Sequence, residues 1–306
     1  MRKILMLLLI SAVLLLSACT ADSDKGEVLF TFTDSLGRTV EVCSYEKTAV
    51  ISGSLAEIWQ LAGGELYGVT DDAYDGHNLT LSDDVRNYGN VQNPSIESII
   101  ADGVDLVILS GTIANHVKLA GVFDSAGITA AYFDVTDFED YLSVLKICTE
   151  ITGRDDLYIE NGENIRAEVE AAIQSAEGHN APNILLMRAL STQMKPKGSD
   201  SMTGQMLADL GCINIADSDT SLLEELSLEA VVRADPDFVF ITTIGDSAAG
   251  IAQYEAELAS NPAWQGLSAV KNGNVYILPQ ELYHYKPNAR WGEAYENLVE
   301  ILYGKE

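Results

Sequence analysis

Two segments of the chain repeat the same pattern. SIESIIADGVDLVIL spans residues 95–109, and SLEAVVRADPDFVFI spans residues 227–241. Ser, Glu, Asp and Val recur at matching places, and residues 97 and 229 are 132 positions apart, as are residues 105 and 237. In each copy, Ser-x-Glu opens a short helix and an apolar run enters a buried strand. A repeat of this size predicts a chain built from two similar units.

The length of the chain agrees with two units, because 306 residues exceed what one core usually serves. Strand and helix patterns alternate on both sides of one long helical segment, which predicts a parallel sheet in each unit. We therefore predict an α/β fold in which two Rossmann-like lobes are joined by one long rigid helix, with a ligand cleft between the lobes. The predicted bounds are 29–153 for the N-terminal lobe, 154–180 for the connecting helix and 181–306 for the C-terminal lobe.

Local signals place the elements within these lobes. Alternation around an Asp-Ser-Leu-Gly turn predicts a hairpin over 29–42, and the capping-box pattern from Ser54 to Glu57 predicts the start of the first helix. The other expected elements are strands near 48–51, 66–70, 129–133, 183–188 and 275–278, and helices near 115–125, 138–151, 155–176, 202–210, 251–260 and 289–302.

The first residues are predicted to be a targeting segment. Arg2 and Lys3 precede an uncharged apolar run over 4–16, which suits a secretory signal and is short for a membrane span. Leu-Ser-Ala before Cys19 resembles a bacterial lipobox. We predict a signal peptide over 1–18 and a polar leader over 19–28 that is lipid-anchored at Cys19 and holds the protein outside the cytoplasm. An ordinary signal peptide with a coincidental cysteine is the alternative.

Charge and cysteine usage limit the partners. The formal net charge is −28, so we expect no binding to nucleic acid or to anionic lipid surfaces. Cys43, Cys148 and Cys212 show neither a CxxC nor a zinc-type spacing, which predicts buried thiols without a disulfide framework.

The order of motifs along the chain resembles the helical-backbone, or class III, substrate-binding proteins of ABC importers. TDSLGRTVEV, SGSLAEIW, GGELYGVT, the first repeat copy and NPAWQGLSAVKNGNVYIL carry the resemblance, which covers roughly residues 30–303. It implies a monomer without an intrinsic cofactor, whose lobes clamp a metal chelate, namely a ferric siderophore, haem or cobalamin. It further implies delivery to a membrane permease with its ATPase, and docking of Glu97 and Glu229 onto permease arginines. Stabilisation of the helix dipole by each Glu is the alternative reading.

The ligand is expected between the lobes, because open α/β sheets bind ligands at the carboxyl ends of their strands. Arginine can bind carboxylates with two parallel hydrogen bonds, and aromatic rings cover planar ligands. An anionic, partly aromatic chelate fits this composition. The candidate ligand-binding residues in the predicted cleft loops are Tyr74, His77, Tyr88, Arg188, Lys195, Tyr283, Tyr285, Lys286, Arg290 and Trp291.

Two other classes of function compete with this prediction. An enzyme is disfavoured because the sequence has no GxGxxG after the first strand, no P-loop, no GxSxG and no HExxH. A lipoprotein that binds bare zinc or manganese would need several His and acidic ligands at one point. His77, His116 and His284 are candidates for a metal or a haem iron, and Tyr74 is a candidate axial haem ligand. Lone histidines in separate loops are usually not ligands, and no metal site is predicted.

Overall fold

The computed structural model describes residues 26–224 and 226–304. The predicted signal peptide and Cys19 lie outside these residues. Within them, no helix combines the length and the apolar character that crossing a membrane requires.

The N-terminal lobe consists of a hairpin and a parallel sheet with helices. Its strands are β1 (Phe30–Thr33), β2 (Thr39–Val42), β3 (Thr48–Val50), β4 (Gly68–Val69), β5 (Arg86–Asn87), β6 (Leu106–Ser110) and β7 (Thr129–Phe133). Its helices are α1 (Gly53–Leu61), α2 (Ile96–Ala101), α3 (Ala114–Val117), α4 (Ala120–Ala126) and α5 (Phe138–Thr152). The sheet order is β5-β4-β3-β6-β7, with all neighbours parallel. Strands β4 and β5 lie on one side of β3, and β6 and β7 lie on the other. The loops after β3 and β6 therefore meet at a topological switch point.

A nearly continuous helical segment connects the lobes. It comprises α6 (Asp155–Tyr158), a π-helical turn (Ile159–Glu163) and α7 (Asn164–Ala176). The π turn is held against the N-terminal lobe, since the Tyr141 hydroxyl donates to the Asn161 carbonyl at 2.7 Å and Asn161 Nδ2 donates to the Leu61 carbonyl at 3.0 Å.

The C-terminal lobe repeats the α/β architecture. Its strands are β8 (Asn183–Leu190), β9 (Gln193–Pro196), β10 (Ile213–Asn214), β11 (Phe238–Thr243) and β12 (Val275–Ile277). Its helices are α8 (Met202–Asp209), α9 (Ile215–Ser218), α10 (Ser221–Glu224), α11 (Leu228–Ala234), α12 (Ser247–Tyr254), α13 (Pro262–Gln265), α14 (Ser268–Lys271), α15 (Gln280–Tyr283) and α16 (Trp291–Tyr303). The sheet order β10-β8-β11-β12 is parallel, and β9 pairs antiparallel with the second half of β8.

The apolar core runs through both lobes. One cluster of buried side chains joins α1 and α5 of the N-terminal lobe, Ile165 and Val169 of α7, and Trp291 and Tyr295 of α16. Separate clusters cover the other face of each sheet. The predicted α/β fold with two parallel-sheet lobes and a connecting helix is confirmed.

Three local predictions differ from the structure. Ser54, predicted to cap α1, lies inside the helix, which begins at Gly53 with Ser52 at the N-cap and no side-chain cap hydrogen bond. Asp72 Oδ2 accepts the Gly53 N–H at 2.8 Å. Glu57, predicted to close the capping box, is instead buried. The helix expected over 115–125 is divided into α3 and α4, and the loop expected after residue 188 contains the β8–β9 hairpin.

Candidate functional site

The walls of the inter-lobe cleft are the loops at the carboxyl ends of the two sheets. The loops after β3, β6 and β7 form the N-terminal wall, and the end of β8 and the loops after β11 and β12 form the C-terminal wall. Asn288 bridges the walls, because its Nδ2 donates to the Ser54 carbonyl at 3.2 Å. Asn288 is fully buried and adopts a positive φ of 54°, a conformation that asparagine tolerates better than most residues.

Three nitrogen-bearing side chains gather on the C-terminal wall: Arg188 of β8, and His284 and Lys286 of the loop after α15. Arg188 Nε and His284 Nδ1 are buried atoms with no hydrogen-bond partner among the described residues. Burial lowers the pKa of the Arg188 guanidinium, and burial together with the neighbouring Arg188 charge lowers the pKa of Lys286. Burial, Arg188 and Lys286 together lower the pKa of His284 to about 4. We call these three residues the cationic cluster.

The pairing of the other basic residues makes this cluster unusual. In a chain with a net charge of −28, most described basic side chains have an ion pair, a hydrogen bond or both. Arg290, for example, binds both oxygens of Glu293 at 2.6 and 2.9 Å. Within residues 26–224 and 226–304, the basic side chains with neither kind of contact are Arg188, Lys195, Lys197 and Lys286.

Asp134 faces the cationic cluster from the N-terminal wall. It directly follows β7, and its carboxylate lies over Gly111. Burial, and to a lesser degree Asp140, raise the pKa of Asp134, while the Gly111 N–H and Lys286 act in the opposite direction. Lys286 and Asp134 influence each other's pKa, and the two side chains form no direct ion pair.

A second group of side chains touches across the cleft beside this cluster. The rings of His77 and Tyr285 come from opposite lobes and lie 4.9 Å apart. Gly53 and Gly76 make this contact possible, because a Cβ at either position would collide with His77 or Tyr285 respectively. His77 Nδ1 lies 3.6 Å from the buried Glu57 Oε2. The adjoining cavity has a volume of about 630 Å³ and is lined by Asp75, Gly76, His77, Asn78, Gly245, Gln280, Glu281, Tyr285 and Arg290.

Three candidate ligand-binding residues prove to be packing residues. Tyr88 is 2% exposed, packs on Gly68 and donates from its hydroxyl to Asp102 at 3.1 Å. Tyr283 is 1% exposed and its hydroxyl donates to the Ala294 carbonyl at 2.8 Å. Trp291 is 1% exposed and packs against Phe138, Tyr141 and Tyr295 at the junction of the lobes. These predictions are corrected, because the side chains point into the core although their positions follow cleft loops.

The structure brings Arg188 and Lys286 together, and His77 together with Tyr285. Tyr74 is exposed, Lys195 is exposed on β9, and Arg290 lines the cavity but is paired with Glu293. The predicted ligand set did not include Asp134 or His284. Asp134 could have been predicted as a cleft residue from the sequence, because it directly follows the predicted strand 129–133.

The remaining candidate side chains are distributed outside the cleft or have structural roles. His116 is fully buried; its Nδ1 accepts the Ser110 N–H and its Nε2 lies 2.6 Å from the Val91 carbonyl, which fixes a neutral ring. Glu97 and Glu229 are exposed in the first turns of α2 and α11. Cys148 is buried, whereas Cys43 and Cys212 are partly exposed, and all three are free thiols. Among the described residues, no group of three or more His, Cys, Asp or Glu could hold a metal ion.

Comparison with protein families identifies the class of this fold. The model of a family described as periplasmic binding proteins matches residues 49–282, which is most of both lobes. The chain belongs to the periplasmic binding protein family. This membership confirms the predicted role of an extracytoplasmic substrate-binding protein of an importer and the expectation that the protein is not an enzyme.

Relatives of this periplasmic binding protein include two from Bacillus subtilis (strain 168). The Fe(3+)-citrate-binding protein YfmC is 25% identical over 293 residues, covering 89% of this chain and 87% of the relative. The putative ABC transporter substrate-binding lipoprotein YhfQ is 24% identical over 295 residues, covering 88% of this chain and 89% of the relative. Among solved structures, the siderophore-binding protein BauB bound to acinetobactin and ferric iron superposes with a TM-score of 0.74 at 16% identity, covering 90% of this chain and 99% of that chain.

Proposed function

We propose that this protein captures an anionic ferric chelate of the carboxylate class between its lobes and delivers it to an ABC permease. The observation that carries the proposal is the cationic cluster, in which Arg188 and Lys286 lie side by side without an acidic partner among the described residues. Two adjacent unpaired cations repel each other and are costly to bury. A carboxylate between them supplies the missing hydrogen bonds, which are strong because both partners are charged.

The composition of the cleft favours a carboxylate chelate over a flat aromatic ligand. Tyr88, Tyr283 and Trp291 lie in the core, and among the predicted tyrosine and tryptophan candidates Tyr74 and Tyr285 keep exposed surface. Haem and cobalamin need broad apolar walls, whereas the walls here carry Arg188, Lys286 and Asp134. The printed name of the B. subtilis relative, an Fe(3+)-citrate-binding protein, supports the same class.

Titration of the purified, metal-free protein tests this function. We expect ferric citrate to quench tryptophan fluorescence with saturable one-to-one binding, and haemin, cyanocobalamin, Zn²⁺ and Mn²⁺ to bind much more weakly. Saturable binding of haemin, cyanocobalamin or a bare metal ion, together with no binding of ferric citrate, would contradict the proposed ligand class.

Anchoring and docking are parts of the same proposal. Lipidation of Cys19 would tether the protein to the membrane, and Glu97 and Glu229 would engage permease arginines from the two lobes. Changing Cys19 to Ala should release the protein from the membrane fraction. Changing both Glu97 and Glu229 to Ala should leave chelate affinity unchanged and strongly reduce iron uptake, because two exposed ion pairs on separate lobes fix orientation together.

A further inference from the structure

The internal repeat contains positions with a clear structural role. Asp105 Oδ2 accepts the Lys47 N–H at 3.0 Å, and Asp237 Oδ2 accepts the Asn183 N–H at 2.9 Å. The return hydrogen bonds, from the Asp N–H groups to the Lys47 and Asn183 carbonyls, are also present in both copies. Each Asp therefore holds the start of the first strand of its lobe's parallel sheet.

The buried positions of the repeat are explained by packing. Ile99 and Val231 are fully buried, as are Val107 and Val239 of the strands that follow. Ser227 Oγ accepts the Ala230 N–H and caps α11, while Ser95 Oγ bonds to Ser98 Oγ.

Two matched positions have no such explanation. Neither Glu97 nor Glu229 makes an ion pair or hydrogen bond with its side chain among the described residues. One helical turn later, Ile100 is 40% exposed and Val232 is 42% exposed. Residues three apart on a helix share a face, so each lobe presents a carboxylate and a branched aliphatic side chain together.

Other exposed positions of the repeat carry different types of residue in the two copies. Ala101 corresponds to Arg233, and Gly103 corresponds to Asp235, with all four residues exposed. A single exposed aliphatic residue needs no explanation. The combination of an unpaired carboxylate and an exposed aliphatic residue, present twice at equivalent places, calls for one explanation that covers both lobes.

We propose that Ile100 and Val232, the anchor pair, insert into apolar recesses of the permease beside the cations that receive Glu97 and Glu229. This inference rests on the proposed function as an importer component. A duplicated surface fits a partner built from two like halves, and exposed unpaired carboxylates are complementary to basic groups on that partner. The carboxylates provide orientation, and burial of the anchor pair provides affinity, because desolvating aliphatic surface is favourable while exposed ion pairs contribute little.

Site-specific photocrosslinking tests the contact without knowledge of the ligand. A benzophenone amino acid is placed at position 100 or 232 of the full chain in the native host, and at position 159 as a control. Ile159 is 58% exposed on the connecting helix, away from both copies of the repeat. We expect positions 100 and 232 to crosslink to the integral membrane subunits of one ABC importer, and position 159 to give no such product. Absence of this product from both repeat positions would overturn the inference.

A substitution experiment measures how much the anchor pair contributes to the affinity for the permease. The double variant Ile100→Ser and Val232→Ser should bind the detergent-solubilised permease that the crosslink identifies at least about tenfold more weakly than wild type. Ile277 at the end of β12 is 43% exposed. The matched double variant Ile159→Ser and Ile277→Ser should bind the permease like wild type, and both double variants should keep wild-type affinity for ferric citrate. Equal permease affinity of the anchor variant and wild type would refute the role. If wild type fails to bind ferric citrate, the ligand class is wrong, and the crosslinking result still decides the docking contact.

Discussion

At the scale of single residues, the cleft is defined by polar atoms that folding leaves without partners. A buried donor or acceptor without a hydrogen bond typically costs about 1–3 kcal/mol, and Arg188 Nε and His284 Nδ1 are two such atoms within one cluster. Internal pairing could have removed this cost, as it does for Arg290 and Glu293. The arrangement therefore lowers the stability of the free protein and keeps its donors available to a ligand.

The pH dependence of stability should report on His284. Its pKa is lowered to about 4 in the folded protein, against about 6.5 in an unfolded chain. Between these values the unfolded chain binds the proton and the folded protein does not, so this residue's contribution to stability is lost as the pH falls from about 6.5 to 4. The difference in unfolding free energy between His284→Gln and wild type should therefore depend on pH. It should favour the variant by about 2–3 kcal/mol more at pH 4.5 than at pH 8. Urea denaturation of both proteins at the two pH values measures the difference, and an equal offset at both would contradict a lowered pKa.

Sequence position alone predicted only part of this site. Arg188 and Lys286 were predicted as ligand-binding candidates because the basic residues of this acidic chain are concentrated in two loops of the C-terminal lobe. Tyr88, Tyr283 and Trp291 were misassigned because a loop position does not give the direction of the side chain, which packing against Gly68, α16 and Phe138 decides here. The pairing of Arg290 with Glu293 likewise depends on a local conformation that composition does not reveal.

At the scale of elements, periodicity and turn signals predicted the strands and helices that carry the fold. Strand β7 and helices α5 and α8 lie where the apolar patterns predicted them. The two-residue strands β5 and β10 were not predicted, because so few residues carry no alternation. The capping box of α1 was predicted wrongly because the helix begins at Gly53, one residue before Ser54, where Asp72, distant in sequence, accepts the Gly53 N–H.

The Asp residues of the repeat should act on stability rather than on binding. Asp237→Ala removes the acceptor of the exposed Asn183 N–H and should lower the free energy of unfolding by about 0.5–1.5 kcal/mol. Asp105→Ala should have a similar or larger effect, because Asp105 also accepts the Ser44 hydroxyl at 3.0 Å. Urea denaturation with ferric citrate titration of the same variants checks this, with Asp124→Ala as an exposed control. A loss of chelate affinity without a loss of stability would contradict the structural role.

At the scale of the whole molecule, the lobes are joined through a rigid junction. The π turn of the connecting segment is hydrogen-bonded to α1 and α5, and α7 packs along α16 in the continuous core. Phe138 and Trp291 connect the lobes with ring centroids 5.5 Å apart. Bending such a helix would break backbone hydrogen bonds, so hinge closure is disfavoured.

Small-angle scattering should therefore detect little movement on ligand binding. We expect the radius of gyration and the pair-distance distribution of the protein to agree within error with and without saturating ferric citrate. A clear compaction in the presence of ferric citrate, and not of citrate alone, would show that the junction is a hinge.

The central claim is that the cationic cluster binds the chelate, and calorimetric titration of ferric citrate into matched variants tests it most directly. Arg188→Gln with Lys286→Gln should weaken binding at least about 100-fold, since charge-assisted hydrogen bonds contribute roughly 1.5–3 kcal/mol each. Its melting temperature should be unchanged or higher, because removing unpaired buried charges relieves their desolvation cost. Arg290→Gln, which removes a cation that lines the adjoining cavity and is already paired with Glu293, should bind within about threefold of wild type. Wild-type affinity in the double variant, or an equal loss in Arg290→Gln, would contradict the account.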